Sequence, residues 1–231
     1  MAEKSGSRAV SMKGHALSSS SHEAPRLTVE SLRFDRGGPY SFSLNHGICA
    51  GLKVVSGVGK TRLLRALADI DPSTGSVVLN GRGREDYKPH EWRRLVAMIP
   101  AESRWWHPLV GDHLPLDHDP RRADELLRSC GFEPDVLRWD VTRLSTGEKQ
   151  RLSLVRALIR DPQVLLLDEV GSGLDRDNTE LLEALVQEYL EGNKAAAIWV
   201  SHNQDLLERV ATLTLTMLAD GLRLTSEKES R

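Results

Sequence analysis

The stretch Ser56-Gly57-Val58-Gly59-Lys60-Thr61 sets glycines, a lysine and a hydroxyl in the order that phosphate chemistry requires. Glycines let successive backbone N–H groups close around a phosphate, because no Cβ blocks the approach. Lys60 is then placed to reach β- and γ-phosphates, and the Thr61 hydroxyl to ligate Mg²⁺. A helix N-terminus behind such a loop adds its positive dipole end. The phosphate-loop pattern G-x-x-x-x-G-K-[ST] expects a glycine at position 54, where this chain has Val54. A β-branched residue tolerates left-handed backbone angles poorly, so the chain must leave the preceding strand in another way. A Gly-rich turn that binds nothing is the competing reading.

More candidates lie in the C-terminal half. Val164-Leu165-Leu166-Leu167 is an aliphatic run that ends in Asp168 and Glu169. Asp168 is placed to hold Mg²⁺, directly or through water, and Glu169 to polarise an attacking water as general base. A strand that merely ends in solvent-exposed acids has the same pattern. Leu144-Ser145-Thr146-Gly147-Glu148 carries the S-x-x-E spacing of a capping box, so a helix starts there. Its free N–H groups and the Ser145 hydroxyl make an anion site as well as a cap. His202 follows Val200-Ser201, and a lone histidine after a buried strand is more often structural.

The elements that must position these residues follow from periodicity. Leu27 to Phe34 and Tyr40 to Leu44 alternate as half-buried strands do. Cys49 to Val55 leads into the Gly-rich turn, and a helix follows with Leu63, Leu64, Ala66, Leu67 and Ile70 on its apolar side. Ser76–Leu79 and Leu95–Ile99 read as short strands. Val164–Leu167 and Ala195–Val200 are continuous apolar runs, as expected of central strands covered on both faces. Leu181, Leu182, Leu185 and Tyr189 mark one face of another helix. Strands alternating with helices argue for an α/β protein with a parallel sheet. Residues 101–143, with Pro108, Pro115, Pro120 and Pro134, read as a small helical insertion holding a helix from about Arg121 to Cys130.

Composition narrows the function classes. A formal net charge of -2 gives no overall electrostatic footprint for nucleic acid, and no nucleic-acid partner is expected. No apolar run reaches the ~18–20 residues of a membrane span. Cys49 and Cys130 stand far apart, outside any C-x-x-C pair, and read as reduced thiols. His107, Asp112, His113, Asp117 and His118 lie close in sequence but match no metal-ligand spacing. The Ser-rich residues 1–25 read as a flexible tail, and residues 223–231 as a second, shorter one.

In order and spacing, the motifs resemble those of ABC-transporter ATPase subunits. The phosphate loop at 54–61 is followed by Leu144-Ser-Thr-Gly-Glu-Lys-Gln-Arg, Leu165-Leu-Leu-Asp-Glu, Gly173-Leu-Asp175 and Val200-Ser-His202. These correspond to the family's signature, Walker B strand, D-loop and H-loop, and the resemblance covers about residues 26–222. It implies a P-loop NTPase fold of ABC type: a mainly parallel core sheet, an antiparallel β subdomain and a small helical subdomain at about 101–160. ATP and Mg²⁺ are the cofactors it implies, with Thr61 and Asp168 on the metal. It further implies a homodimer with two ATP molecules between the chains. Ser56, Gly57, Val58, Gly59, Lys60 and Thr61 of one chain would face Ser145, Thr146 and Gly147 of the other, and Asp175 would link the two sites. Glu169, His202 and Lys60 would be catalytic, with His202 on the γ-phosphate. Phe34 is the candidate platform for adenine, and Tyr40 the alternative. The implied partner is an integral membrane permease, so the implied location is cytoplasmic, at the inner face of the cell membrane. Leu144-Ser-Thr-Gly-Glu-Lys-Gln-Arg-Leu-Ser-Leu and Ile198-Trp-Val-Ser-His are similar, more narrowly, to the compact ATPases paired with iron or metal-resistance exporters.

Two positions depart from the family's pattern. Besides Val54, Ala101 stands where a glutamine normally follows the strand at 95–99. In the family that glutamine contacts Mg²⁺ and the attacking water and couples the site to the permease. Two rival readings stand beside transport: a soluble non-transport ABC ATPase and, because of Val54 and Ala101, a nucleotide-binding regulator with weak turnover. Trp105 and Trp106 come next in the chain, either as an anchor for the permease or packed under the insertion.

Overall fold

The structure, a computed structural model, describes residues 24–35, 37–54, 59–116, 119–218 and 221–227. The expected tail at the N-terminus falls almost wholly outside them. Three strands open the described chain: β1 (Leu27–Phe34), β2 (Gly37–Leu44) and β3 (Cys49–Val54). After α1 (Lys60–Leu67) come β4 (Thr74–Leu79), β5 (Arg82–Gly83), α2 (Pro89–Leu95) and β6 (Val96–Ile99). The middle holds α3 (Pro120–Ser129) and α4 (Thr146–Leu158). The last third is β7 (Val164–Asp168), α5 (Arg176–Asn193), β8 (Ala196–Val200), α6 (Gln204–Val210), β9 (Leu213–Leu218) and β10 (Gly221–Glu227).

Two sheets result. The larger runs β10-β9-β3-β8-β7-β6, parallel from β9 to β6, with β10 antiparallel at the edge. The smaller, β2-β1-β4-β5, is antiparallel throughout. Every residue of β7 and β8 is buried, so both faces of the parallel sheet are covered, as their unbroken aliphatic runs require. One apolar core lies between the two sheets around α1, with Trp92 at its end. The other joins the opposite face of the parallel sheet to α3, α4, α5 and α6.

Residues 101–143 contain α3, three short 3-10 turns and an isolated bridge between Leu109 and Asp140. Leu126 and Leu127 of α3 face inward, as expected. Four local readings need correction. Ile70 lies beyond the end of α1 and is exposed, because the helix stops at Leu67. Leu181 is exposed while Leu182, Leu185 and Tyr189 are buried, so the inward face of α5 is rotated past it. Helix α2 was not foreseen: it is a short element with Pro89 at its first turn and one buried anchor, Trp92, whose indole donates to Leu67 O at 2.9 Å. Residues 223–227, expected in a tail, form most of β10, and the Thr225 hydroxyl meets that of Thr216 at 2.6 Å. An edge strand with one face in water needs few apolar residues, which is why its polar sequence concealed it.

Leu166 on β7 is fully buried, paired with Met98 on one side and Ile198 on the other. Leu166→Ala removes those contacts at the centre of the sheet and is expected to cost about 2–5 kcal/mol, read as a lower urea midpoint.

Candidate functional site

Strands β3, β8 and β7 are neighbours and run parallel, so their C-terminal ends open on one edge of the sheet. Ligands in open α/β sheets bind outside that edge. Each of the three strands delivers candidate residues there. Val54, the last residue of β3, pairs through its backbone with Met217. Ser56, Gly57 and Val58 lie outside the described residues. Gly59 precedes α1 in a left-handed conformation, φ 96°, which glycine adopts without a Cβ clash. Helix α1 then begins at Lys60, so both Lys60 and Thr61 sit in its first turn.

The structure brings Lys60, Thr61, Asp168, Glu169 and His202 together. The Lys60 ammonium lies 2.9 Å from Glu169 Oε1 and also meets His202 Nε2. His202 Nε2 is 3.1 Å from the same carboxylate oxygen. Of these three groups the ammonium is an obligate donor and lies within reach of both of the others. The His202 backbone N–H donates to Glu169 Oε2 at 3.1 Å, which fixes the second carboxylate oxygen. Beside this cluster the Thr61 hydroxyl donates to Asp168 Oδ2 at 2.8 Å. A hydroxyl and a carboxylate in contact form a hard oxygen pair, the donor type Mg²⁺ prefers.

Glu169 sits in a left-handed conformation, φ 54°, uncommon for a residue with a long side chain. The turn that imposes it is held at several points. Glu169 N–H donates to Val200 O at 2.9 Å and Ser172 N–H to Glu169 O at 3.0 Å. The Trp199 indole donates to Val170 O at 3.2 Å. Gln150 Oε1 accepts from the Gly171 N–H at 3.1 Å. Neither Trp199 nor Gln150 was among the expected site residues. Gln150 carried a signal: it occupies the inward face of α4 with Leu154 and Leu158, where a polar side chain must find partners.

Ser145, Thr146, Gly147 and Asp175 form a separate group. Ser145 Oγ accepts from the Glu148 N–H at 3.2 Å while Glu148 Oε2 accepts from the Ser145 N–H at 2.8 Å, the expected capping box. Asp175 caps α5 through the Asn178 N–H at 2.8 Å, and Asn178 also packs over Gly147. Among the described residues no hydrogen bond or ion pair joins this group to Lys60, Thr61, Glu169 or His202. Phe34 lies at the edge of the phosphate loop: a Cβ placed on Gly59 would come 3.6 Å from its ring. Tyr40 stacks behind Phe34, centroids 5.5 Å apart, and is fully buried, so the alternative adenine platform is a core residue.

Trp105 and Trp106 divide between the two expected roles. Trp105 is packed against the core, whereas Trp106 is 66% exposed. His113 is buried between them, 4.8 and 4.7 Å from their centroids, and the Arg156 guanidinium lies over both rings. Trp106 and Arg156 line a groove of about 310 Å³ between α2, the end of β6 and α4. Asp117 and His118 lie outside the described residues. Cys49 and Cys130 are free and buried, and burial pushes the Cys130 thiol up to about 12. Among the described residues no helix is long and apolar enough to cross a membrane.

Residues 38–172 match the family described as ABC transporter. The protein named "Probable iron export ATP-binding protein FetA" of Escherichia coli is 32% identical over 184 residues, which span 75% of this chain and 82% of that one. The aliphatic sulfonates import ATP-binding protein SsuB 2 of Frankia alni is 35% identical over 180 residues, 76% of this chain and 68% of that one. Among solved structures, cbiO1 from Clostridium perfringens, described as part of the ABC transporter complex cbiONQ, superposes with a TM-score of 0.77 at 20% identity. That superposition covers 89% of each chain.

The Asn178 backbone N–H and then its side-chain amide hold the exposed Asp175 carboxyl below its ordinary 3.8. Its folded value is the lower one, so its contribution is complete above pH 3.8 and is lost as pH falls through the folded value. Asp175→Asn keeps the cap and removes the titration. The fall in urea midpoint between about pH 5 and about pH 3 is expected to be smaller in the variant than in the wild type.

Proposed function

Since the chain belongs to the ABC transporter family and is an ATP-binding, ATP-hydrolysing subunit, we propose that two copies close around two ATP molecules and drive a separate membrane permease. The observation that carries this reading is the Lys60–Glu169–His202 cluster, set beside the Thr61–Asp168 pair at the open edge of the parallel sheet.

The residues divide the work as follows. Lys60 leaves Glu169 to meet the β- and γ-phosphates, which carry more negative charge than a single carboxylate. That exchange releases Glu169 to accept a proton from the attacking water, so the base is free when the substrate is present. His202 holds the Glu169 carboxylate through its backbone N–H and turns its ring to the γ-phosphate. Thr61 and Asp168 would hold Mg²⁺, which neutralises charge on the phosphate oxygens when bound. Phe34 stacks on adenine at the mouth of the loop. Ser145, Thr146 and Gly147 stand apart from the Lys60 cluster within one chain, and this separation supports their serving the partner's ATP. Dimer closure then requires ATP in both sites, hydrolysis reopens the pair, and the permease follows.

The groove at Trp106 is the proposed seat of the permease. Arg93, Arg94, Arg156 and Arg160 line it, and none of its lining residues is acidic. Among the described residues the partly buried Arg156 meets no carboxylate, and burial lowers its pKa. A short segment presenting a carboxylate and an apolar side chain complements this surface.

Lys60→Ala is expected to lose ATP binding and turnover together. Glu169→Gln keeps ATP binding but lowers kcat by about 10²–10⁴-fold. Light scattering of the Glu169→Gln chain should then show a dimer at saturating ATP and a monomer without it, and a persistent monomer refutes the sandwich. Arg160→Glu, at the exposed rim of the groove, is expected to weaken copurification with the permease, and undiminished copurification refutes docking there.

A further inference from the structure

We infer that Gln150 is a positioning residue for hydrolysis, joining the segment beside the docking groove to the turn that carries Glu169. Its side chain is 5% exposed and fully engaged. Nε2 donates to Ala101 O at 2.7 Å, and Oε1 accepts from the Gly171 N–H at 3.1 Å. The orientation of the amide is fixed by its partners, because Ala101 offers a carbonyl and Gly171 an N–H. Gly171 stands two positions after Glu169 in the same turn, and both residues are left-handed, with φ 89° and 54°. A turn of this kind persists only where its surroundings over-determine it. Gln150 is one of those restraints, so moving it moves the Glu169 carboxylate.

The other end of the amide holds the segment between Pro100 and Trp106, two residues that line the groove. Ser103 Oγ donates to Lys149 O at 3.3 Å, and Arg156 donates to Arg104 O at 3.2 Å. With the Gln150 bond, these tie residues 101–104 to α4 at three successive points, and Trp106 projects from the end of the tied segment into the groove. Ala101 stands just after β6, at the position where the family's pattern has a glutamine. Gln150 reaches it from the helix behind. The Glu169 end of this inference rests on ATP hydrolysis alone, and the groove end rests on the docking reading proposed above.

The test compares Gln150→Leu and Gln150→Glu in the full chain without permease, with kcat and ATP affinity measured from about pH 5 to about pH 9. Gln150→Leu loses both bonds, and kcat is expected to fall about tenfold or more with ATP affinity within about twofold of wild type. Gln150→Glu separates the bonds. Protonated, its carboxyl donates to Ala101 O and accepts from Gly171 N–H, so turnover matches wild type. Burial raises its pKa into the tested range. Ionised, it faces the Ala101 carbonyl as acceptor against acceptor, and kcat relative to wild type falls as pH rises. A ratio that stays flat with pH, a wild-type kcat in Gln150→Leu, or a fall that tracks ATP affinity or melting temperature overturns the inference. If Gln150→Leu does not fold, the pH profile of Gln150→Glu decides alone. Absent stimulation of the wild-type chain by its permease refutes docking separately and leaves this experiment intact.

Discussion

The contact between Lys60 and Glu169 is the constraint around which the molecule is built. The two residues are 109 positions apart and meet at 2.9 Å. The first opens the helix after β3 and the second follows β7. The sheet places β8 between those strands, and β8 supplies His202 to the same point. Three parallel crossovers are thus needed before any of these side chains can meet. The fully buried β7 and β8 are the means, since a strand covered on both faces has little freedom to shift its register. The ammonium finds its counter-charge in Glu169, the residue proposed above as general base. On that reading a triphosphate competes with this carboxylate for Lys60.

Around this pair the fold separates stiffness from binding. The turn of Glu169 is pinned by Val200 O, by the Trp199 indole and by Gln150, all contributed by elements with buried sides. Ser145 and Asp175, by contrast, are exposed caps at the starts of α4 and α5. Each satisfies its own helix first, and its remaining surface is turned outward. Asn178 packs over Gly147 and so locks these two caps to one another. Together they form one continuous exposed surface, the one proposed to face the second chain.

Much of this was legible in the sequence. The runs at 164–167 and 195–200 announce buried strands, the S-x-x-E spacing announces the start of α4, and the five motifs in order announce the family. What was hidden has physical reasons. Helix α2 depends on one tryptophan under a proline-started turn, too short for a periodic signal. Strand β10 is polar because it needs cover on one face alone. Trp105 and Trp106 could not be told apart by type, since burial of one and exposure of the other is decided by His113 and Arg156 between and above them. Gln150 stood inside a recognised motif, yet its partners at 101 and 171 come from loops whose approach no local pattern encodes.

The grip on residue 101 is indifferent to side-chain identity. It is made to a main-chain oxygen, which every amino acid carries. A change of side chain at that position leaves the grip intact, so the tie between the loop and α4 depends on the helix residue and not on which amino acid stands at 101.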